Sequence, residues 1–293
     1  MTLTVHAPAK LNLTLDILGL LPGGYHALDS VMIAVDLCDT LTLRPSGAGI
    51  RLTCSDSSLP QGADNLICKA ANAFFAHIGL SPGGLEIALT KRIPAQAGFG
   101  GGSADAAATL VGLNRLYNRG LTSDELCKIG LSVGSDIPFC LMGGAARVGG
   151  RGERLTPLST SLGEAVFLIA KPAQGVSTRL AFEAYDRQEH KPAAHTGQMA
   201  AALTSGNLSA IGRAMSNGFE QALFLPQVQE VKAAILEGGS SLGAAMTGSG
   251  SAVAGLFPDQ PSAARCLAKL GERFPFARLV RLVAHGPKIS SDV

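Results

Sequence analysis

Residues 94–107 read Pro94-Ala95-Gln96-Ala97-Gly98-Phe99-Gly100-Gly101-Gly102-Ser103-Ala104-Asp105-Ala106-Ala107, with four glycines among the five residues 98–102. The stretch follows an apolar segment, Leu85–Thr90, that reads as a strand, and runs into an Ala-rich segment that reads as a helix from near Ser103 to about Tyr117. Loss of side chains lets backbone N–H groups converge on an anion. The helix start adds unpaired donors and about half a positive charge. Ser103 is placed to cap the helix or to lend its hydroxyl to a phosphate. A Walker A loop would need Lys before Ser103, and none is there. No acidic residue ends a second strand ~20 residues on, so the dinucleotide fingerprint also fails. The loop reads as phosphate-binding of another kind, with Pro94, Ala95, Gln96, Ala97, Gly98, Phe99, Gly100, Gly101, Gly102 and Ser103 as its candidate ligands.

That anion must be held by local geometry. Net charge is +2, and the 24 Lys and Arg residues are scattered without a basic block, which argues against nucleic acid as a partner. Apolar residues make up 46% and charged residues 16%, which excludes wholesale disorder. No apolar run approaches the ~20 residues that span a bilayer. Met1–Pro8 lacks the basic-then-apolar pattern of a secretory signal. Cys38, Cys54, Cys68, Cys127, Cys140 and Cys266 form no CxxC pair and read as reduced thiols of a cytoplasmic protein.

Leu11, Leu13, Leu15 and Ile17 alternate with Asn12, Thr14 and Asp16, the pattern of a half-buried strand. Lys10 and Asn12 should share a face, directed away from the apolar layer. Val31–Leu37, Thr40–Leu43 and Ile50–Cys54 read as further strands. Asp64 is the expected cap of a helix ending at Gly79, and Thr122 with Glu125 forms a capping-box pattern for another. Beyond Gly152, Val166–Ala170, Ala244–Met246, Val253–Phe257 and Leu279–Val283 read as strands. Arg179–Tyr185, Leu208–Met215, Val228–Leu236 and Ala263–Phe274 read as helices. Strands and helices mix without a regular βαβ repeat, so the expected class is α+β in two domains, 1–158 and 159–293. The polar segment 186–199 is expected to be a mobile connection.

Two further segments, Pro8-Ala9-Lys10-Leu11-Asn12-Leu13 and Met246-Thr247-Gly248-Ser249-Gly250-Ser251, complete a set with the glycine loop. The three segments, in this order and spread over essentially the whole chain, resemble the GHMP kinase superfamily. The resemblance implies an N-terminal domain like ribosomal S5 domain 2, a C-terminal ferredoxin-like sandwich, and phosphoryl transfer from ATP with Mg²⁺ to an alcohol. Gly24-Tyr25-His26 and Gly134-Ser135-Asp136-Ile137-Pro138 narrow it to the branch that phosphorylates the 2-hydroxyl of a cytidine-diphosphate-linked methylerythritol, in the non-mevalonate route to isoprenoid precursors. Residue by residue, it implies Asp136 as base, Lys10 as catalytic lysine, and Asn12 at the reacting end of the substrate. Tyr25 and His26 would hold cytosine, and Thr178 with Phe182 would lie in the segment whose aromatic stacks on its other face. Tyr185, three residues on, is the alternative for that second face. The chain departs from the branch at Leu21-Pro22-Gly23, where an Arg and an Asp are usual, and at Asn217-Gly218-Phe219-Glu220, which is expected to be structural.

The alternatives are another GHMP kinase, of mevalonate-pathway or homoserine type, or an inactive ligand-sensing relative. The Tyr25-His26 pair speaks against the first, since a substrate without a nucleobase gains nothing from such a clamp. The presence of both Lys10 and Asp136 speaks against the second.

Overall fold

A computed structural model describes residues 1–81, 83–188 and 193–290. The first half runs β1 (Leu3–Leu20), β2 (His26–Ala48), β3 (Ile50–Cys54), α1 (Leu66–His77), β4 (Gly83–Thr90), α2 (Gly101–Leu116), α3 (Ser123–Val133), α4 (Ile137–Met142), β5 (Ala145–Gly150) and β6 (Arg154–Pro157). The second runs β7 (Val166–Lys171), α5 (Thr178–Asp186), α6 (Thr196–Ser205), α7 (Leu208–Ala214), β8 (Ser216–Asn217), α8 (Gly218–Ala222), α9 (Pro226–Glu237), β9 (Gly243–Met246), β10 (Val253–Phe257), α10 (Gln260–Leu270), β11 (Phe276–Val280) and β12 (Lys288–Ser290).

Two sheets organise these elements. The first is built on the path β12-β1-β2-β4-β3, with β5 added along the first part of β2, β6 paired to β5, and β8 alongside β1. The second has the order β11-β7-β10-β9 and is antiparallel throughout. Fourth, first, third, second is the order of a ferredoxin-like sandwich, as expected. Residues 282–290 do not stay with the second half. Leu282 bridges to Val35, and β12 pairs with β1 at Thr4–His6. The first sheet therefore draws strands from both sides of residue 158, β8 and β12 coming from beyond it.

Local signals explain most boundaries. Ile67, Cys68, Ala70, Ala71, Phe74 and Phe75 of α1 are buried at helical spacing. Its cap is Asn65 rather than Asp64, because the Asn65 Oδ1 accepts the Ile67 N–H at 2.9 Å. The Thr122–Glu125 capping box forms as expected at α3. Helix α2 starts earlier than Ser103: Gly100, at φ 66°, is its cap residue, a left-handed position that glycine takes without penalty. Ser103 makes no cap, and its side chain faces the cavity described below. In the segment 186–199, residues 189–192 lie outside the described residues and Thr196 already begins α6.

Strand β1 corrects the expectation of a half-buried strand: its polar members are buried too, with Asn12, Thr14 and Asp16 at 7% exposure or less. Helices α2, α4, α6 and α8 all pack on it. A register shift between Asn12 and Thr14 interrupts the pleat. Leu11 and Leu13 belong to the first core, whereas Leu15 and Ile17 belong to a second core with Val166, Leu168 and Phe257. One alternating face thus serves two cores. The Asp16 carboxylate accepts the N–H groups of His195 and Thr196 at 2.9 and 2.8 Å, capping α6 from another element.

Candidate active site

A cavity of about 590 Å³ opens where the two sheets meet, a volume usual for a small-molecule site. All ten residues 94–103 line it, with Asn65 and Leu66 beside them. Leu15, Leu28, Phe182 and Phe219 also line it. Lys10, Asn12 and Asp136 stand on its wall as well.

The glycine loop is held from behind. Phe99 and Ala97 are buried, so they offer the cavity backbone rather than side chain. The Phe99 carbonyl accepts the Lys10 N–H at 3.0 Å, and the Ala97 carbonyl accepts the Ala252 N–H at 3.1 Å. The turn 247–250 lies directly on Gly98: a Cβ there would sit 1.9 Å from the Thr247 carbonyl oxygen. Thr247 Oγ1 accepts the Asn12 N–H at 2.9 Å. The Met246–Ser251 segment therefore packs beside the glycine loop. Asn217 holds that segment in turn: its Nδ2 donates to the carbonyls of Met246 and Gly248 at 2.7 and 2.8 Å, and its Oδ1 caps α8. Asn217 is structural, as expected.

Lys10 is 3% exposed and lies against the loop, its Cγ 2.8 Å from where a Gly100 Cβ would be. Its ammonium donates to Asn12 Oδ1 and lies 3.5 Å from Asp136 Oδ2. Asn12 Nδ2 donates to Ser30 Oγ at 2.8 Å, so both ends of the amide are engaged in aiming Lys10. Asp136 precedes α4 and makes no side-chain cap bond. Its side chain is 34% exposed at the cavity wall. A carboxylate facing space, with an ammonium beside it and a glycine-rich helix start next to both, can take a proton from an alcohol while the cation and N–H groups receive developing negative charge.

The expected clamp for a planar ring is only partly assembled. Phe182 lines the cavity, braced edge-on by Phe219 at 4.9 Å between centroids. Its open face is covered by His26, stacked at 4.5 Å and 19°, whose Nε2 lies 2.7 Å from Asp186 Oδ1. No base fits between rings at that spacing. Tyr25 does not reach the cavity: it is 52% exposed and lies under the Arg151 guanidinium, 3.8 Å from its ring centroid. Tyr185 is buried, with its hydroxyl on the Ile17 carbonyl at 2.8 Å, so Phe182 is the aromatic that faces the cavity. Thr178 lines the cavity and bonds Ser249 Oγ at 2.9 Å.

Sequence reasoning passed over one cluster. Lys91 lines the cavity and pairs with the buried carboxylates of Asp39 and Asp105. Burial pushes the Asp105 carboxyl far above the ordinary range, with Lys91 pulling it back and Asp39 adding to the rise. A lone Lys at a strand end and an Asp amid alanines gave no periodic signal; only the fold brings residues 39, 91 and 105 together.

This fold and this arrangement of loop, lysine and carboxylate define a GHMP kinase. The GHMP kinases N terminal domain matches residues 65–144, and the GHMP kinases C terminal domain matches residues 199–275. The 4-diphosphocytidyl-2-C-methyl-D-erythritol kinase of Pelotomaculum thermopropionicum is 42% identical over 274 residues, covering 92% of this chain and 94% of the relative. That of Caldanaerobacter subterraneus subsp. tengcongensis is 38% identical over 99% of this chain and 100% of its own. A crystal structure of 4-(cytidine 5'-diphospho)-2C-methyl-D-erythritol kinase superposes with a TM-score of 0.78 at 32% identity, covering 94% of this chain and 98% of the other. Homoserine kinase from Cytophaga hutchinsonii shares the fold, with a TM-score of 0.80 at 23% identity over 99% of this chain and 97% of its own. Within the GHMP kinases, the chain belongs to the 4-diphosphocytidyl-2-C-methyl-D-erythritol kinase family. It is an ATP-dependent small-molecule kinase.

Proposed function

We propose that this protein transfers the γ-phosphoryl group of ATP to the 2-hydroxyl of 4-diphosphocytidyl-2-C-methyl-D-erythritol, a step of the non-mevalonate route to isoprenoid precursors. The observation that carries the mechanism is the Lys10–Asp136 pair at 3.5 Å beside the glycine loop. Asp136 accepts the proton of the acceptor hydroxyl. Lys10, fixed by Asn12 and by the Phe99 carbonyl, stabilises the alkoxide as it forms. Backbone N–H groups of residues 98–103 and the start of α2 receive the phosphates. Phosphoryl transfer asks a protein mainly for positioning and charge neutralisation, which these groups supply.

Among the described residues no group of three or more His, Cys, Asp or Glu could hold a metal ion by itself. Mg²⁺ commonly binds through substrate phosphates with few protein ligands, so it would enter with ATP and neutralise the charge that builds on the phosphates. Among the described residues no helix is long and apolar enough to cross a membrane. We place the reaction in the cytoplasm, a reading supported by six free thiols.

Cytosine would dock on the Phe182 ring, in the space His26 now occupies, with His26 moving to its edge. For Tyr25 to supply the second face, the turn after β1 must swing inward, which its glycines at positive φ, Gly23 and Gly24, leave open. The test is a phosphate-transfer assay with ATP, Mg²⁺ and a panel of acceptors: the cytidyl substrate, mevalonate and homoserine. Turnover of the cytidyl substrate alone is expected; preference for either other acceptor would overturn the assignment.

The aromatic register gives a separate expectation. Phe182→Ala should weaken the cytidyl substrate by about 1–3 kcal/mol, the scale of base–aromatic stacking, with ATP affinity near normal. Tyr185→Phe should instead cost about 1 kcal/mol of stability by stranding the Ile17 carbonyl. Paired titrations of both ligands, with a thermal melt, separate the two. Loss of cytidyl binding in Tyr185→Ala, with Phe182→Ala binding normally, would reverse the register.

A further inference from the structure

Beneath the phosphate loop lies a cluster of two carboxylates and one ammonium, all nearly sealed from solvent. Lys91 Nζ donates to Asp105 Oδ2 at 2.9 Å and to Asp39 Oδ2, and all three side chains are 8% exposed or less. Asp39 is fully engaged, because its Oδ1 also accepts the N–H groups of Arg92 and Ile93. Asp105 Oδ1 is buried and has no hydrogen-bond partner. The cluster touches the site: Lys91 and Asp105 line the cavity, and Lys91 Nζ lies 3.1 Å from where a Gly101 Cβ would be.

With both carboxylates ionised, the cluster would carry a net negative charge, buried under a loop that has to accept a polyphosphate. One added proton makes it neutral. Asp39 spends both oxygens on N–H donors, a pattern that suits a carboxylate, whereas the unpartnered oxygen of Asp105 suits a protonated acid. We propose that Asp105 and Asp39 hold one proton between them, resident on Asp105 and braced by Lys91, and that loss of this proton on the alkaline side weakens nucleotide binding. Asp105 is then a positioning residue, which holds the start of α2 and Lys91 in a neutral setting without touching the reacting atoms. The inference rests on the reading of this cavity as the nucleotide site.

The sign follows from the chemistry of an acid. Burial first, and then the Asp39 charge, push the Asp105 carboxyl up to about 8 against the pull of Lys91. With the proton in place the cluster is neutral; without it, on the alkaline side, the cluster is anionic and repels phosphates. Reciprocally, nucleotide bound at alkaline pH draws a proton onto Asp105. The other groups that act on the cluster titrate elsewhere. Lys91 is held above its usual value, the two carboxylates outweighing its burial. Burial raises the Cys54 and Cys140 thiols. Asp56, near Cys54, is lowered by its bonds to Ser58. Lys10 and Asp136, which act on Cys140, are common to both proteins compared below.

The experiment is calorimetric titration of ADP into the full chain and into Asp105→Asn, at pH 7 and pH 9, in buffers of different ionisation heat. The terminal phosphate of ADP, with its second pKa at about 6, is nearly fully ionised across this window, and Asp105→Asn carries the same small residual titration. For the native chain, Kd should rise about tenfold from pH 7 to pH 9, with uptake of a proton on binding at pH 9. Asp105→Asn, whose amide keeps the shape and cannot ionise, should show no such slope and no such uptake. A native Kd that stays level without proton uptake overturns the inference alone, and so does an equal slope in the variant. If the variant fails to fold, proton uptake by the native chain still decides. Failure of ADP to bind the native chain at pH 7 overturns the nucleotide reading itself and the inference with it.

Discussion

Asp136→Asn is expected to lower turnover by about 10²–10⁴-fold, the usual worth of a positioned general base. The substitution keeps the shape of the side chain and an oxygen that can still face Lys10, 3.5 Å away. It makes no cap bond to α4 that could be lost, so the helix start should be unaffected. What disappears is the ability to take the proton of the acceptor alcohol, which matters only as the transition state forms. Equilibrium affinities for ATP and for the cytidyl substrate should therefore stay within a few-fold of native. Pre-steady-state turnover with paired binding titrations measures both. Near-normal turnover would mean that the base lies elsewhere and that Asp136 only orients Lys10.

Gly98→Ala should be the most damaging single-methyl change in the loop. The residue has φ 81°, where an L side chain costs roughly 1–2 kcal/mol. Its Cβ would fall 1.9 Å from the Thr247 carbonyl oxygen, and backbone cannot step aside as a side-chain tip can. Overpacking of this kind costs about 1–3 kcal/mol. The strain would be relieved by lifting the 247–250 turn off the loop, so loss of nucleotide affinity should accompany a Tm lower by ~5–15 °C. Gly79→Ala is the control: it shares a positive φ of 68° but would meet nothing within 4 Å, so it should show the conformational cost alone. Equal effects at the two positions would show that contact with Thr247 is unimportant.

The parts of this site legible in the sequence are those whose chemistry is local. A run of glycines before a helix announces an open backbone at the helix start by composition, and the capping box at Thr122 announces a helix start. Lys10 and Asn12 were legible as a pair, since a strand places alternate residues together, but not as buried groups. Burial came from the glycine loop and the 247–250 turn, segments distant in sequence that carry no mark of packing on β1. Asn65 took the cap expected of Asp64 because either side chain can cap and one residue of frame decides. The contacts of Asn217, the partnership of His26 with Asp186, and the cluster of Lys91 with two carboxylates join residues far apart in the chain. No period or spacing encodes them. The stacking of His26 on Phe182 was hidden for another reason: a family resemblance reports what a pocket holds, not how its walls rest against one another.

Strand β1 has a bearing on whether this protein can be treated as two modules. Leu15 and Ile17 leave the first core to complete the second, while residues 288–290 come back to cover an edge of the first sheet. A gene cut after codon 158 would yield one fragment with an uncovered strand edge and another whose core lacks two of its side chains. Neither piece could be grafted onto a foreign partner as it stands. Co-expressed, the two would have to find each other during folding, each acting as the template that finishes the other, with Lys10 and Phe182 meeting only once both had done so.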